Sequence, residues 1–142
     1  MQSPFNLLPL IVDLTQVFTH LRVIGYSAVN DRIMTLKLNT KPFIMNLIQV
    51  YATSANADEE TIEKFYGDLD TEIRSIHNRK MILISGDFNA KIGRTAEDDH
   101  IRNVVGKYGI GERNDRGSRL IQFCLENEFT IANPTFKRRL YT

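Results

Sequence analysis

One cysteine, no tryptophan and a net charge of only +1 mark this chain of 142 residues. Each scarcity excludes something. With Cys124 alone there is no internal disulfide framework and no thiolate metal cluster, so a reducing compartment, nucleus or cytoplasm, is the fitting home. A near-zero net charge creates no global field that would drive the chain onto a polyanion; such binding has to come from a local patch or a bound cation. Long apolar runs are missing too. The run from Leu7 to Leu14 is broken by Pro9 and Asp13, and it falls short of the ~20 residues a membrane-spanning helix needs. No lysine or arginine precedes it, so the positively charged start of a secretory signal is absent. Residues 1–21 are expected to form an N-terminal arm, and no membrane partner is expected.

What is present describes an ordinary globular domain, 42% hydrophobic and 25% charged, long enough to bury a core. From Arg22 the pattern reads as strands: Val23 to Tyr26, then Ile33 to Leu38 in near alternation after the Asn30-Asp31 turn, then Phe43 to Tyr51. These look like consecutive antiparallel strands. The period then changes. Asp58, Glu59 and Glu60 open a helix, where carboxylates suit the positive end of the dipole. Ile62, Phe65, Tyr66, Leu69, Ile73 and Ile76 recur at helical spacing, a core-facing stripe about five turns long. Met81 to Ile84 reads as a strand buried on both faces. Lys91 to Gly117 is polar and glycine-rich without a period, Leu120 to Leu125 is helical, with Cys124 as a small core residue, and Thr130-Ile131-Ala132 resembles a last strand. The fold class expected is α/β, in one domain.

The candidate chemistry sits where the buried strand ends, at Gly86-Asp87-Phe88-Asn89. If the chain stays extended across Phe88, Asp87 and Asn89 point the same way while Phe88 turns into the core. A carboxylate can orient and deprotonate a water, and an amide can donate to a non-bridging phosphate oxygen. An aspartate carboxyl ordinarily titrates near ~3.9, which makes it a weak base for water. A cation that acidifies the water is therefore needed, and oxygen ligands favour Mg²⁺. The competing reading of the same residues is plain turn chemistry, since Asp and Asn bond their own backbone. Tyr51 tips the balance: a crossover helix separates its strand from the Asp87 strand, so both strand ends share one rim if the strands run parallel. Its phenol can donate to a phosphate oxygen; a half-buried tyrosine with a solvated hydroxyl is the alternative.

The order of Gln49-Val50-Tyr51-Ala52, helix, and Ile82-Leu83-Ile84-Ser85-Gly86-Asp87-Phe88-Asn89-Ala90 resembles the endonuclease/exonuclease/phosphatase superfamily. Val23 to Arg32, Lys91-Ile92-Gly93 and the stretch from Asn114-Asp115-Arg116-Gly117 to Tyr141 are similar to craniofacial development protein 2-like sequences, relatives of non-LTR retrotransposon endonucleases. The resemblance covers residues 22–142 and implies a partial four-layer α/β sandwich, two mainly antiparallel sheets with helices outside. It implies that Asp87 handles the attacking water, that Asn89 contacts phosphate and metal, and that Tyr51 touches the scissile phosphate. Lys91 and Arg94 lie where a nucleic-acid backbone, DNA above all, can run, though a solvated loop is the favoured account of them.

Three departures matter. The family's proline after Tyr-Ala is replaced by Thr53, and residues 1–21 offer neither the family's metal glutamate nor its early asparagine. The closing Asp-His pair falls beyond Thr142. The expectation is thus an incomplete domain with weak activity or none, prone to self-association through exposed strand edges. The alternatives are a non-catalytic binding module of the same fold, or a phosphatase of inositol or lipid phosphates.

Overall fold

In the computed structural model the described residues are 22–54, 56–76, 81–94, 99–107 and 109–132. The expected N-terminal arm and the basic cluster at Lys137 to Arg139 lie outside them. Two units divide the chain between Phe88 and Asn89.

The first unit is a sheet with one helix. Strand β1 (Arg22–Ala28), β2 (Ile33–Asn39) and β3 (Ile44–Tyr51) follow one another antiparallel, and β4 (Met81–Asp87) joins β3 in parallel. The order β1-β2-β3-β4 follows from the connections. Short turns allow antiparallel neighbours, whereas a parallel neighbour needs a crossover, which helix α1 (Glu59–Ser75) provides. The α/β class is as expected. The described residues form one sheet; a second is not among them.

Helix α1 begins where Asp58 accepts the Thr61 N–H at 2.8 Å, and Glu59 and Glu60 occupy its first turn. Phe65, Tyr66 and Leu69 of its apolar stripe are buried, each worth roughly 1.5–3 kcal/mol over exposure. On its flank Lys64–Asp68 and Arg74–Asp70 form i,i+4 ion pairs, whose exposed geometry contributes only about 0.3–0.5 kcal/mol each.

Alternation assigns the two faces of the sheet. Thr35 donates to Glu72 of α1 at 2.7 Å, so its face is the helix-covered one. Met34, Leu36, Leu38 and Leu47 pack on the other, with Met45 against them. That second face opens toward both edges of the sheet. Val23 and Tyr26 on β1 are exposed, as are Met81 and Leu83 on β4. The buried run expected at Met81 to Ile84 is therefore only half right: among the described residues β4 has one neighbour, β3, and Met81 and Leu83 are exposed.

In the second unit, a 3₁₀ turn (Asp99–Ile101) interrupts the aperiodic stretch, and helix α2 spans Asp115–Asn127. Ile101, Val104, Val105, Leu120, Ile121, Phe123 and Cys124 are buried. Burial pushes the Cys124 thiol up to about 11, as befits a core residue with no charged partner. The strand expected at Thr130 to Ala132 does not form. Glu128 takes a left-handed conformation that ends α2, Phe129 stacks on Phe123 with ring centroids 6.4 Å apart, and Ile131 donates to Val104 at 2.7 Å. A short segment after a helix cap is thus tied down by single contacts rather than by a ladder. No helix of the described residues is long and apolar enough to cross a membrane.

Candidate functional site at the strand ends

Parallel pairing of β3 with β4 runs in unbroken register from Met45 opposite Met81 to Tyr51 opposite Asp87. The two residues singled out from the sequence are therefore cross-strand partners at the carboxyl ends of adjacent parallel strands. Being opposite each other, their side chains share one face of the sheet. That face is the one turned away from α1, because Tyr51 alternates with Val50 and Ile48, and Ile48 pairs with Thr35. Both residues are open to solvent: Asp87 is exposed, and Tyr51 keeps 40% of its surface accessible. A carboxylate buried away from the surface could not meet a phosphodiester; this one can.

The rim is locked from both sides. Ala52 donates its N–H to the Asp87 carbonyl at 2.7 Å, carrying the pairing one step past the strand. Gly86 has φ 135, and a Cβ there would lie 1.9 Å from the Val50 carbonyl oxygen. Only glycine lets β4 approach β3 this closely just before Asp87. Behind Asp87, Phe88 turns to the helix face as expected and meets Phe65 edge-to-face at 6.4 Å. On the other side, Arg32 continues the β2–β3 register one position: Ile33 pairs with Val50, and the Tyr51 N–H donates to the Arg32 carbonyl at 2.9 Å. Arg32, Tyr51 and Asp87 make a row across three strand ends. One step behind, Gln49 is 2% exposed, and its Oε1 has no hydrogen-bond partner among the described residues.

The strand alternation that would give Asp87 and Asn89 a common direction does not reach Asn89. The strand ends at Asp87, and Asn89 adopts φ 48, so alternation stops before it. Asparagine tolerates this left-handed backbone better than most residues. Asn89, Lys91 and Arg94 belong to the second unit. There Lys91 and Arg94 are exposed, while their main chains are fastened: the Lys91 N–H donates to Asn114 Oδ1 at 3.0 Å, and the Arg94 N–H to the Gly111 carbonyl at 3.0 Å. Asn114 also caps α2 by accepting the Gly117 N–H at 2.8 Å. Of the histidines, His100 is exposed, and His20 and His77 lie outside the described residues.

The pairing established is thus Tyr51 with Asp87, and the residue missed in the sequence is Arg32. Its only signal was its position, directly after the Asn30-Asp31 turn. Among the described residues no group of three or more His, Cys, Asp or Glu side chains is gathered to hold a metal ion.

No family model matches the chain. It is similar to craniofacial development protein 2 from Tragulus javanicus, 38% identical over 123 residues, and from Bos taurus, 37% identical over 123 residues. Each alignment takes in 84% of this chain but only 21% and 20% of the relative, so the chain spans about a fifth of the length of those proteins. Among solved structures it is similar to the endonuclease domain of TRAS1, a telomere-specific non-LTR retrotransposon. The TM-score is 0.52 at 20% identity, covering 75% of this chain and 41% of that one. At that identity the likeness is one of fold. The two findings support the resemblance to the endonuclease/exonuclease/phosphatase superfamily carried by the motifs.

Proposed function

Starting from a chain related to craniofacial development protein 2 and built on an endonuclease-like α/β fold, we propose that it forms part of a metal-dependent phosphodiesterase domain acting on nucleic acid, with little or no turnover alone. The observation that carries the proposal is the Tyr51–Asp87 pairing at parallel strand ends. Ligand sites in open α/β sheets favour the carboxyl ends of strands.

Asp87 orients a water and takes its proton as the water attacks phosphorus; the P–O bond to the leaving sugar oxygen breaks, and that oxygen takes a proton from solvent. The Tyr51 phenol donates to a non-bridging oxygen, where negative charge builds in the transition state. Asn89, Lys91 and Arg94 stand in the second unit and take no part in this step. When bound, a hard divalent cation such as Mg²⁺ supplies acidification of the water and neutralisation of phosphate charge. The described residues do not fit a complete site for it. The exposed apolar side chains Val23, Tyr26, Met81 and Leu83 are where the second sheet of a complete sandwich would lie. Coverage of 41% of the TRAS1 domain fits a chain that carries one wall of a site.

Two measurements test this. In a plasmid-nicking assay with Mg²⁺, the chain is expected to stay near background, and Asp87→Ala to change nothing. Robust cutting that requires Asp87 would overturn the claim of low activity. In titrations of a short DNA duplex at low salt, without Mg²⁺, Tyr51→Phe is expected to weaken binding about fivefold, the loss of one phosphate hydrogen bond. Asp87→Asn is expected to tighten it a few-fold by removing like-charge repulsion. Indifference of binding to both substitutions would remove the phosphate from this rim.

A further inference from the structure

The guanidinium of Arg32 is aimed at the main chain of the rim. Its Nη1 donates to the carbonyls of Tyr51 at 3.3 Å and Ala52 at 3.2 Å, and Cζ lies 6.0 Å from the centroid of the Tyr51 ring. The base of the side chain is anchored in turn. The Arg32 N–H donates to Asn30 Oδ1 at 2.8 Å, and Asn30 Nδ2 donates to Asp68 of α1 at 3.2 Å. One residue thus grips Tyr51 by its amide, by its carbonyl and by its ring.

Resting on the reading of Tyr51 as a donor to the phosphodiester, we infer that Arg32 is the positioning residue of that phenol. Tyr51 is the last residue of β3, and its side chain is open enough to sample several rotamers. Two things restrict it. The twin carbonyl bonds fix the backbone torsions between Tyr51 and Ala52, where the chain leaves the sheet. The cation against the ring face selects the rotamer that keeps the ring beside it. Arginine suits this because one Nη carries two N–H donors for the two carbonyls while the delocalised cation stays beside the ring; lysine, a point charge on a flexible stem, does one or the other. A direct contact of Arg32 with phosphate is the rival role, and the aim of Nη1 at two carbonyls argues against it.

The experiment compares the full chain with Arg32→Gln, Arg32→Lys, Tyr51→Phe and the Arg32→Gln/Tyr51→Phe double variant. The first readout needs no ligand: the ring resonances of Tyr51 by NMR, assigned through Tyr51→Phe. They are expected to move toward free-tyrosine values in Arg32→Gln and part of the way in Arg32→Lys. The second is affinity for a short DNA duplex over a salt series. Arg32→Gln is expected to weaken binding about fivefold, as loss of a cation–π contact and a charged hydrogen bond predicts. The double variant is expected to be no weaker than either single one, with the salt slope unchanged. Unmoved Tyr51 resonances overturn the inference. So do multiplying effects with a slope smaller by about one, the signature of a direct phosphate contact. If the wild-type chain binds no DNA, the phosphate role of Tyr51 fails, and with it what Arg32 would position the phenol for; the resonances still decide whether Arg32 holds the ring.

Discussion

The rim of the first unit and the loop of the second reach their conformations by opposite routes. At the rim, Tyr51 and Asp87 are set opposite each other by seven consecutive register pairs between β3 and β4. Backbone geometry does the placing, and side chains trim the result. In the second unit, the 89–94 segment has no ladder. Lys91 is held to Asn114, 23 residues away, by one side-chain acceptor and one main-chain bond. Many weak, redundant constraints fix the first; a few single contacts fix the second. Damage to the rim should therefore be global, and damage to the loop local.

Two glycines put that to the strongest test, because an added Cβ would meet a carbonyl oxygen at 1.9 Å in each: Val50 at Gly86 and Lys91 at Gly117. At Gly86 the obstacle is a central strand, and φ 135 is closed to alanine as well. Gly86→Ala is expected to cost about 3 kcal/mol or more, a large part of the stability of a chain this size. Gly117 stands in the first turn of α2, where alanine suits the helix, and the Lys91 segment can shift. Gly117→Ala is expected to cost about 1–2 kcal/mol. Urea unfolding checks both, and equal losses would erase the distinction drawn between the regions.

The comparison also explains what the sequence made legible. Tyr51 and Asp87 were visible because alternation and a crossover helix are periodic signals, and a parallel pair then leaves little freedom in which ends meet. The α1 stripe was visible for the same reason; of its start only the acidic run was read, not the cap that Asp58 makes. Arg32 was not, because its partners Tyr51 and Ala52 lie 19 and 20 residues away and no spacing rule links them. The openness of Met81 and Leu83 escaped notice because an apolar run does not say how many neighbours its strand has. The left-handed backbone at Asn89 and the bond that ties Ile131 to Val104 likewise follow from no spacing rule. Patterns of period two or 3.6 announce ladders; contacts between loops announce nothing in advance.

Asn114 offers a sharper version of the contrast, since one side chain both caps α2 and holds Lys91. Asn114→Ala is expected to destabilise by about 1–2 kcal/mol, the upper range for a cap, and to strip hydrogen-exchange protection from the Lys91 and Gly117 amides. Asn114→Asp keeps the acceptor and is expected to restore most of both. Loss of protection at Gly117 alone would show that the cap and the latch are separate.

The smallest effect belongs to the cap of the other helix. Asp58 accepts the Thr61 N–H and has no second task resembling that of Asn114. It differs by being titratable: hydrogen bonds from Thr61, side chain then backbone, hold its carboxyl below the ordinary value. A carboxylate whose proton affinity is lower folded than unfolded stabilises the fold above its unfolded pKa, near ~4. That contribution fades as pH falls through the lower folded value, because the unfolded chain then binds the proton first. Asp58→Ala should therefore lower the unfolding midpoint slightly at neutral pH and converge with the wild type in acid. Asn114→Ala, with no proton to bind, should differ from the wild type by the same amount at both ends of the range. Midpoints recorded between pH 7 and pH 3 separate the two. Were the Asp58→Ala deficit to persist unchanged in acid, the cap would be acting through neutral hydrogen bonding, and the two helix starts would be held alike.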